Sequence, residues 1–422
     1  MHSSSRTPSY SAVLRTTHAS RTFGAALLGR LSYGMVSLAL MLAVKGSTGS
    51  YGTAGAVMAL FGLTSVFLSP VRAALVDRHG PRRALTPMAC AYALFLGALA
   101  GATWRPGAPG LLLAFLAVLA GSCTPPLGPV MRSVWGALMP DHQLRQRAFS
   151  LDAVAEELLF VTGPLLVGLL VALATPAVAV AVSAALVLTG TLAFVSSPAV
   201  LAAGGPVEGP GDGPAAKAER WWKPGPDLGR AVALAAGAGV CLGALDLLVV
   251  AVTERQQQPG AVSWILAALS AGSAVGGLAY GARSWRAPAR KRLPILTVGM
   301  ALPLAAAGIS PDPWVLAAVV TVAGLFVAPA LSTAYLIADE TAAAGTRNQA
   351  GAWVNTAINA GSASGTAAVG LVIGRLPLAL CFVLAVTPAL ASAVTVWSQV
   401  RRPVTPAYAA QPPLRTPTSA PE

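Results

Sequence analysis

Charged residues are scarce in this sequence. Only 10% of its 422 residues are Asp, Glu, Lys or Arg, and only 15 are acidic, whereas a soluble domain averages roughly 25% charged residues. Hydrophobic residues make up 55% of the chain. A soluble protein could not cover its surface with so few charges, and a disordered chain would hold far fewer apolar residues. The composition excludes both classes and leaves a membrane protein that crosses the bilayer many times.

Cysteine and the motifs of catalysis are also sparse. The four cysteines, Cys90, Cys123, Cys241 and Cys381, each lie inside an apolar run and form no C-x-x-C pair, so neither a disulfide framework nor a metal site is expected. The sequence contains no G-x-x-x-x-G-K-[ST], H-E-x-x-H or G-x-S-x-G motif. It therefore gives no support for ATP hydrolysis, for a membrane enzyme or for a bound cofactor.

Apolar runs long enough for a helix to cross the hydrocarbon core, about 20 residues, occur twelve times. The sequence therefore predicts an all-α integral membrane protein with twelve transmembrane helices. We name these spans 1 to 12, and they cover approximately residues 23–44, 52–75, 84–104, 110–135, 148–173, 176–196, 229–251, 261–284, 293–309, 314–337, 348–373 and 376–397.

The basic residues predict the orientation. The net charge of +13 could indicate nucleic-acid binding, but Lys and Arg lie in short loops between apolar runs, as topogenic signals do. With the N-terminus inside, 22 of the 28 basic residues fall on the inner side and 4 on the outer side. Both termini are therefore predicted to be cytoplasmic, and no nucleic-acid partner is expected. The run after the polar N-terminus is too long for a signal peptide and reads as a retained first helix.

The spans divide into two predicted halves. The expected order is a tail (1–22), a six-helix half (23–196), a central linker (197–228), a second six-helix half (229–397) and a C-terminal tail (398–422). Pro129 and Arg147 are repeated 200 residues later as Pro329 and Arg347, which suggests duplicated halves with a binding site between them. Trp221 and Trp222 in the linker could rest on the lipid surface, or the linker could simply be flexible.

The loop between spans 2 and 3 carries the most specific motif. Its residues Asp77, Arg78, Gly80, Arg82 and Arg83 resemble the signature G-x-x-x-D-R-x-G-R-R of the major facilitator superfamily, with Ala73 in place of the first glycine. The alternative is a set of arginines that only enforces topology. The resemblance implies that Asp77 holds an inner gate closed in the outward-facing state, near the N-terminus of span 11 around Asn348, where the helix dipole favours a carboxylate.

A second motif lies in span 5. Gly163, Pro164 and Gly168 resemble the antiporter motif G-x-x-x-G-P-x-x-G-G of the same family, although Leu159 and Val167 replace two of its glycines. The resemblance implies export. Glycines allow close helix packing and proline bends a helix, so a purely structural role is also open. Span 11 has a similar stripe at the duplicated position, formed by Gly361, Gly365 and Gly370.

Charges inside the membrane are costly unless they are paired or wetted, and so they indicate function. Arg30 in span 1, Arg132 in span 4 and the acidic residues of span 5, Asp152, Glu156 and Glu157, lie at similar depths and are expected to form one network. Glu156, then Glu157, is the candidate carboxylate for proton coupling, and Arg30 is a proton-coupling candidate with them. Arg132 and Asp152 are inner ion-pair candidates. The alternative is a permanent structural network.

The remaining candidates line the expected cavity. Asp246 is a lone acid in span 7, so it is a proton-coupling candidate unless the outer headgroups solvate it. Tyr33, Tyr335, Asn355 and Asn359 could contact substrate, but they could equally pack or bridge helices.

Together these features predict a secondary transporter, not an enzyme. It is expected to exchange protons for small amphipathic molecules, with export favoured and nutrient uptake as the alternative; a sensor or membrane enzyme is a remote third reading. The expected partners are a small-molecule substrate, protons and the lipid bilayer, without a cofactor or metal, and the expected state is a monomer. Arginine outnumbers lysine 24 to 4, which suggests a high-GC bacterium and hence its plasma membrane.

Overall fold

The computed structural model describes residues 9–139, 141–203, 225–258, 260–343 and 345–401, and every regular element in these ranges is a helix. The tryptophans Trp221 and Trp222, most of the central linker and nearly all of the C-terminal tail lie outside them. The twelve spans correspond to helices Ala19–Thr48, Tyr51–Phe67 with Ser69–His79, Pro81–Ala102, Gly110–Cys123 with Leu127–Leu138, His142–Leu173, Pro176–Val195, Pro226–Arg255, Ala261–Ala282, Ala289–Ala307, Pro313–Thr341, Arg347–Val372 and Leu378–Arg401.

Length and composition support membrane spanning for most of these helices. Nine of the described helices are long and apolar enough to cross a bilayer, and a tenth is added if the bent pair of span 2 counts as one. Spans 9 and 11 fall below that criterion because span 9 begins with the basic run Ala289–Leu293 and span 11 carries several polar side chains. Both are nevertheless helices that pack against other helices of the bundle.

The packing repeats between the two halves. In spans 1–6, span 1 packs against spans 5 and 6, span 2 against span 4, and span 3 against spans 4 and 6. Each of these pairs recurs six spans later, as spans 7 with 11 and 12, 8 with 10, and 9 with 10 and 12. The all-α fold with two pseudo-symmetric six-helix halves that the sequence predicts is therefore present.

The halves meet mainly at one end of the bundle. We call this end the terminal face, because span 1 begins there at Ala19 and span 12 ends there at Arg401. One hydrophobic cluster at this face joins residues of both halves, including Phe149 of span 5 and Leu336 of span 10. Towards the opposite face each half has a cluster of its own. The bundle is therefore closed at the terminal face and divided by a cleft towards the other.

Two spans are broken where the sequence predicts continuous helices. Span 2 bends by 41° after Phe67, and span 4 is interrupted between Cys123 and Leu127. Arg72, one of the 22 basic residues predicted to lie on the inner side, is buried at these breaks. Its guanidinium donates to the carbonyls of Thr64, Ser65, Gly121 and Ser122. A broken helix in a membrane needs such donors, because freed carbonyls cannot reach water.

The first residues also differ from expectation. The predicted tail, 1–22, contains a short helix, Tyr10–Arg15, and span 1 starts four residues earlier than predicted, at Ala19. The Tyr10 hydroxyl donates to the Leu278 carbonyl at 2.6 Å. This segment therefore contacts span 8 of the other half.

Glycines set the closest helix contacts. A Cβ on Gly163 of span 5 would collide with the backbone of Gly34 in span 1. At the corresponding pair in the other half, Gly361 and Gly365 of span 11 lie against the backbone of Ala236 and Val240 in span 7. By contrast, a Cβ on Gly168 would meet nothing within 4 Å. The antiporter-like motif thus contains one packing glycine and one glycine that faces open space.

This difference predicts unequal effects of the same substitution. We expect Gly163→Ala to lower the free energy of unfolding by about 1–3 kcal/mol, the usual cost of overpacking, and Gly168→Ala to leave it unchanged. The midpoint of thermal unfolding of the two variants in detergent measures this. Equal midpoints would contradict the packing role of Gly163.

Candidate functional site

Four charged side chains form a buried network between spans 1, 4 and 5. Arg30 Nη1 lies 2.7 Å from Asp152 Oδ1, and Arg30 Nη2 lies 3.1 Å from Glu156 Oε2. Arg132 Nε lies 2.8 Å from Asp152 Oδ2, and its Nη2 also contacts Glu156 Oε2. Asp152 and Glu156 reach the same two arginines because residues i and i+4 share one face of a helix. Two positive and two negative charges therefore balance.

Exposure distinguishes the members of this network. The side chains of Arg30, Arg132 and Asp152 are 2%, 4% and 0% exposed, whereas that of Glu156 is 26% exposed. Glu156 is therefore the member that water from the cleft can reach. A carboxylate that contacts both arginines and also water can exchange a proton without disrupting the deeper Asp152 pairs.

Glu157 does not join the network, although its depth in span 5 predicted that it would. It points about 100° away from Glu156 around the helix and accepts a hydrogen bond from Ser273 Oγ of span 8 at 3.3 Å. Among the described residues, no Lys, Arg or His pairs with it. Glu157 is thus a separate carboxylate at the boundary between the halves.

Tyr335 links the network to the other half. Its ring, from span 10, lies 3.5 Å from the Arg132 guanidinium carbon in a cation–π contact, and its hydroxyl donates to Asn355 Oδ1 at 3.3 Å. Tyr335 is buried, and its role in a substrate cavity stays a prediction. Such a contact between a desolvated arginine and a ring contributes about 2 kcal/mol, and it couples the position of Arg132 to that of span 10.

The other polar cavity candidates differ in their contacts. Tyr33 is partly buried and donates to the Pro125 carbonyl in the break of span 4. Asn359 is exposed and donates to the Asn355 carbonyl within span 11. Of the four cavity candidates, Asn359 is therefore the one whose side chain remains open.

Asp77 lies at the N-terminus of span 11 in the other half. Its Oδ1 accepts hydrogen bonds from the backbone N–H (3.2 Å) and side-chain amide (2.7 Å) of Asn348, and its Oδ2 accepts one from the Gln349 N–H (2.9 Å). The first N–H groups of a helix have no partner within it, and the helix dipole favours an anion there. These three bonds hold the two halves together at the terminal face.

The rest of the signature loop shapes this contact. Gly80 has φ +82° and ψ 154° between two helices, a conformation open essentially to glycine alone, and so it turns the chain from span 2 into span 3. Arg78, Arg82 and Arg83 are exposed around the turn.

A second carboxylate contact across the terminal face was not anticipated as functional. Asp339 of span 10 lies against Gly136 of span 4, where any Cβ would collide with its carboxylate. Arg145 Nη1 lies 3.5 Å from Asp339 Oδ2, and Arg347 Nε lies 4.0 Å from Oδ1. The signal in the sequence was the resemblance of residues 138–141 to residues 336–339, which end in Asp141 and Asp339. Among the described residues, however, Asp141 only caps its own helix, at Leu144.

Bonds between the halves cluster at the terminal face. Besides the Asp77 and Asp339 contacts, Gln146 donates to the carbonyls of Tyr280 and Arg283, and Arg147 donates to that of Ala282. Among the described residues, the contacts furthest from this face are those of Glu157 with Ser273 and of Thr356 with Val66. Beyond them, no hydrogen bond or ion pair between described residues joins the halves.

Asp246 of span 7 and Pro164 of span 5 lie beyond the last hydrogen bonds between the halves. Both are exposed, and Asp246 has no hydrogen bond or ion pair with any described residue. The structure therefore does not bring Asp246 to the network of Arg30 and Glu156.

Comparisons with known proteins give a family and a fold. A family model described as Major Facilitator Superfamily matches residues 22–253, more than half of the chain. The human organic anion transporter MFSD10 (TETRAN) superposes with a TM-score of 0.69 at 16% identity, covering 92% of this chain and 100% of that one. A bacterial homologue of the iron transporter ferroportin, in an outward-facing state, gives 0.70 at 11% identity, with 90% and 99% coverage.

A third structure agrees. The E. coli fucose:proton symporter gives a TM-score of 0.63 at 13% identity, covering 89% of this chain and 98% of that one. No curated protein matches the sequence significantly. At these identities the likeness shows the fold alone.

The charge balance of the network predicts a rescue. We expect Arg132→Met to lower the folded yield and the thermal midpoint, because removing one partner of a buried pair costs about 3–5 kcal/mol. Adding Glu156→Gln restores balance between Arg30 and Asp152, so the double variant should recover most of the loss. Size-exclusion yield and thermal unfolding measure both. A double variant no more stable than Arg132→Met alone would contradict this account.

The Asp77 contact predicts a change in access at the terminal face. In a background without the native cysteines, Ala350→Cys places a reporter at a buried position of span 11. We expect Asp77→Ala to speed its alkylation about tenfold or more, because hydrogen bonds to a charged group each contribute about 1.5–3 kcal/mol. Asp141→Ala, which removes an exposed carboxylate that caps only its own helix, is the control. Equal rates in the Asp77 and Asp141 variants would refute the contact as a gate.

Proposed function

The chain belongs to the major facilitator superfamily, and we propose that it is a proton-coupled exporter of small amphipathic molecules. Its fold is that of the superfamily's transporters. We also propose that spans 1–6 (23–196) and 7–12 (229–397) move as two units around the 197–228 linker, that the chain acts as a monomer in a bacterial plasma membrane, and that the terminal face is cytoplasmic. The structure would then be the outward-facing state.

The observation that carries proton coupling is the position of Glu156. It contacts both Arg30 and Arg132, yet it is more exposed than the other members of the network. In the proposed orientation, the water that reaches it comes from the outside. A proton driven inward by the gradient therefore meets Glu156 before any other member of the network.

Charge balance links that proton to conformation. With both carboxylates ionised, the network is neutral and suits a closed terminal face. When Glu156 takes up a proton, Arg30, Arg132 and Asp152 leave one positive charge uncompensated, and a buried unpaired charge is costly. Opening the terminal face wets the network and withdraws Tyr335 from Arg132. Protonation from outside thus favours the inward-facing state, where Glu156 can release its proton to the cytoplasm.

Export rather than uptake is favoured by two features. The span 5 motif, with Gly163, Pro164 and Gly168, resembles the sequence pattern of exporters, and the exposed side chains of span 5 beyond Glu157 are mostly apolar. A nutrient importer would need a cleft richer in hydrogen-bonding groups; Asn359 is one of few. Nutrient uptake driven by the same network is the second candidate.

Accumulation of fluorescent amphiphiles in an efflux-deficient bacterial host tests the proposal. We expect cells with the wild-type chain to accumulate less of at least one compound, and a protonophore or Glu156→Gln to abolish the difference, because the glutamine cannot release a proton. Glu254→Gln, which changes an exposed acid at the end of span 7, is the matched control and should export normally. Export by Glu156→Gln that stays as sensitive to the protonophore as the wild type would contradict the role of Glu156.

A further inference from the structure

Two carboxylates of the cleft have no cationic partner among the described residues. Asp152 and Glu156 pair with arginines, Asp339 lies beside Arg145, and Asp77 binds the start of span 11. Glu157 has only the Ser273 hydroxyl, and Asp246 has no partner. Because an unpaired charge in the membrane is costly, these two require an explanation other than helix packing.

Glu157 borders the cleft together with an aromatic ring. Phe160 lies three residues after Glu157 in span 5 and about two helical turns after Ala153. Ala153, Glu157 and Phe160 therefore share one face of the helix. Ala153 is buried against Ala328 of span 10, whereas Phe160 is 57% exposed. Along this face, the contact with span 10 therefore ends between Ala153 and Phe160. The cleft begins there, at the level of Glu157.

Asp246 lies on the opposite wall. Gly237 of span 7 packs against Ala389 of span 12, and Asp246, nine residues later, is about half a turn around the helix. It shares a face with Gly239, which packs against Ile358 of span 11, and it is exposed. Its side chain therefore points away from span 12, into the cleft. Spans 5 and 7 both end on the side opposite the terminal face, at Leu173 and Arg255. At about 1.5 Å per residue, Asp246 lies about 14 Å from the end of span 7, and Glu157 lies about 24 Å from the end of span 5.

The cleft therefore carries two carboxyl groups about 10 Å apart in depth, neither of which has a cationic partner among the described residues. The positive charges nearby, Arg30 and Arg132, are buried and already form ion pairs with Asp152 and Glu156. We propose that the cleft binds an organic cation, with Glu157 and Phe160 as its deep site and Asp246 as its outer site. This names the substrate class of the proposed exporter and rests on that function.

The surroundings favour an organic cation over a metal ion. No group of three potential metal ligands comes together among the described residues. An exposed ring beside a carboxylate instead suits a cation with apolar substituents, because the face of an aromatic ring attracts cations by about 0.5–2 kcal/mol and Coulomb attraction is strong where water is partly excluded.

A pair of probes of equal shape and opposite charge tests the proposal. Purified protein in neutral-lipid nanodiscs is titrated with tetraphenylphosphonium and with tetraphenylborate, and binding to empty nanodiscs is subtracted. We expect the phosphonium to bind and the borate not. Glu157→Gln and Asp246→Asn should each weaken phosphonium binding about tenfold, Phe160→Leu by less, and the control Glu254→Gln not at all.

The outcomes separate this proposal from the proposed function. Borate binding as tight as that of the phosphonium, no phosphonium binding, or phosphonium binding unchanged in the Glu157 and Asp246 variants overturns the cation site and leaves proton-coupled transport untouched. Phosphonium that binds as expected but is not moved across proteoliposomes by a pH gradient supports the site and overturns the exporter instead. Folding of each variant is checked by its thermal midpoint.

Discussion

A buried charge in a membrane must be balanced, and the rest of this molecule depends on that constraint. Arg30 and Arg132 are balanced by Asp152 and Glu156 within one contact network. The balance holds only while Glu156 is ionised, and Glu156 is also the member that water reaches. In the proposed function, one proton on Glu156 changes which arrangement of the two halves has the lower free energy. The cation–π contact of Tyr335 with Arg132 is proposed to carry that change to span 10.

The scaffold around the network divides into fixed and breakable contacts. Within each half, helices meet at glycines such as Gly163 and Gly361, where backbones touch, so these contacts do not slide easily. Between the halves, hydrogen bonds and ion pairs accompany the shared hydrophobic cluster, with Asp77 at the start of span 11 and Asp339 beside Arg145. Polar contacts near a surface can be exchanged for water, whereas packed backbones cannot. In the proposed function, this division allows the halves to separate without either one deforming.

Much of the fold could be predicted from the sequence, because apolar length and the distribution of arginine directly reflect the bilayer. The site was partly predictable: helical periodicity places Asp152 and Glu156 on one face, and equal depth suggested Arg30 and Arg132. Periodicity could not show that Glu157 turns to span 8, that Arg72 is buried in two helix breaks, or that Tyr335 stacks on Arg132. Those features depend on contacts between distant segments, which a local pattern does not encode.

We propose that the protonation of Glu156 sets the position of the halves. The most direct measurement is the distance between spin labels at Leu201 and Arg286, exposed positions of the two halves at the terminal face, by pulsed electron resonance in nanodiscs at neutral and acidic pH. The account predicts that acid increases the long-distance population in the wild type and leaves Glu156→Gln unchanged. The same acid response in both proteins would contradict it.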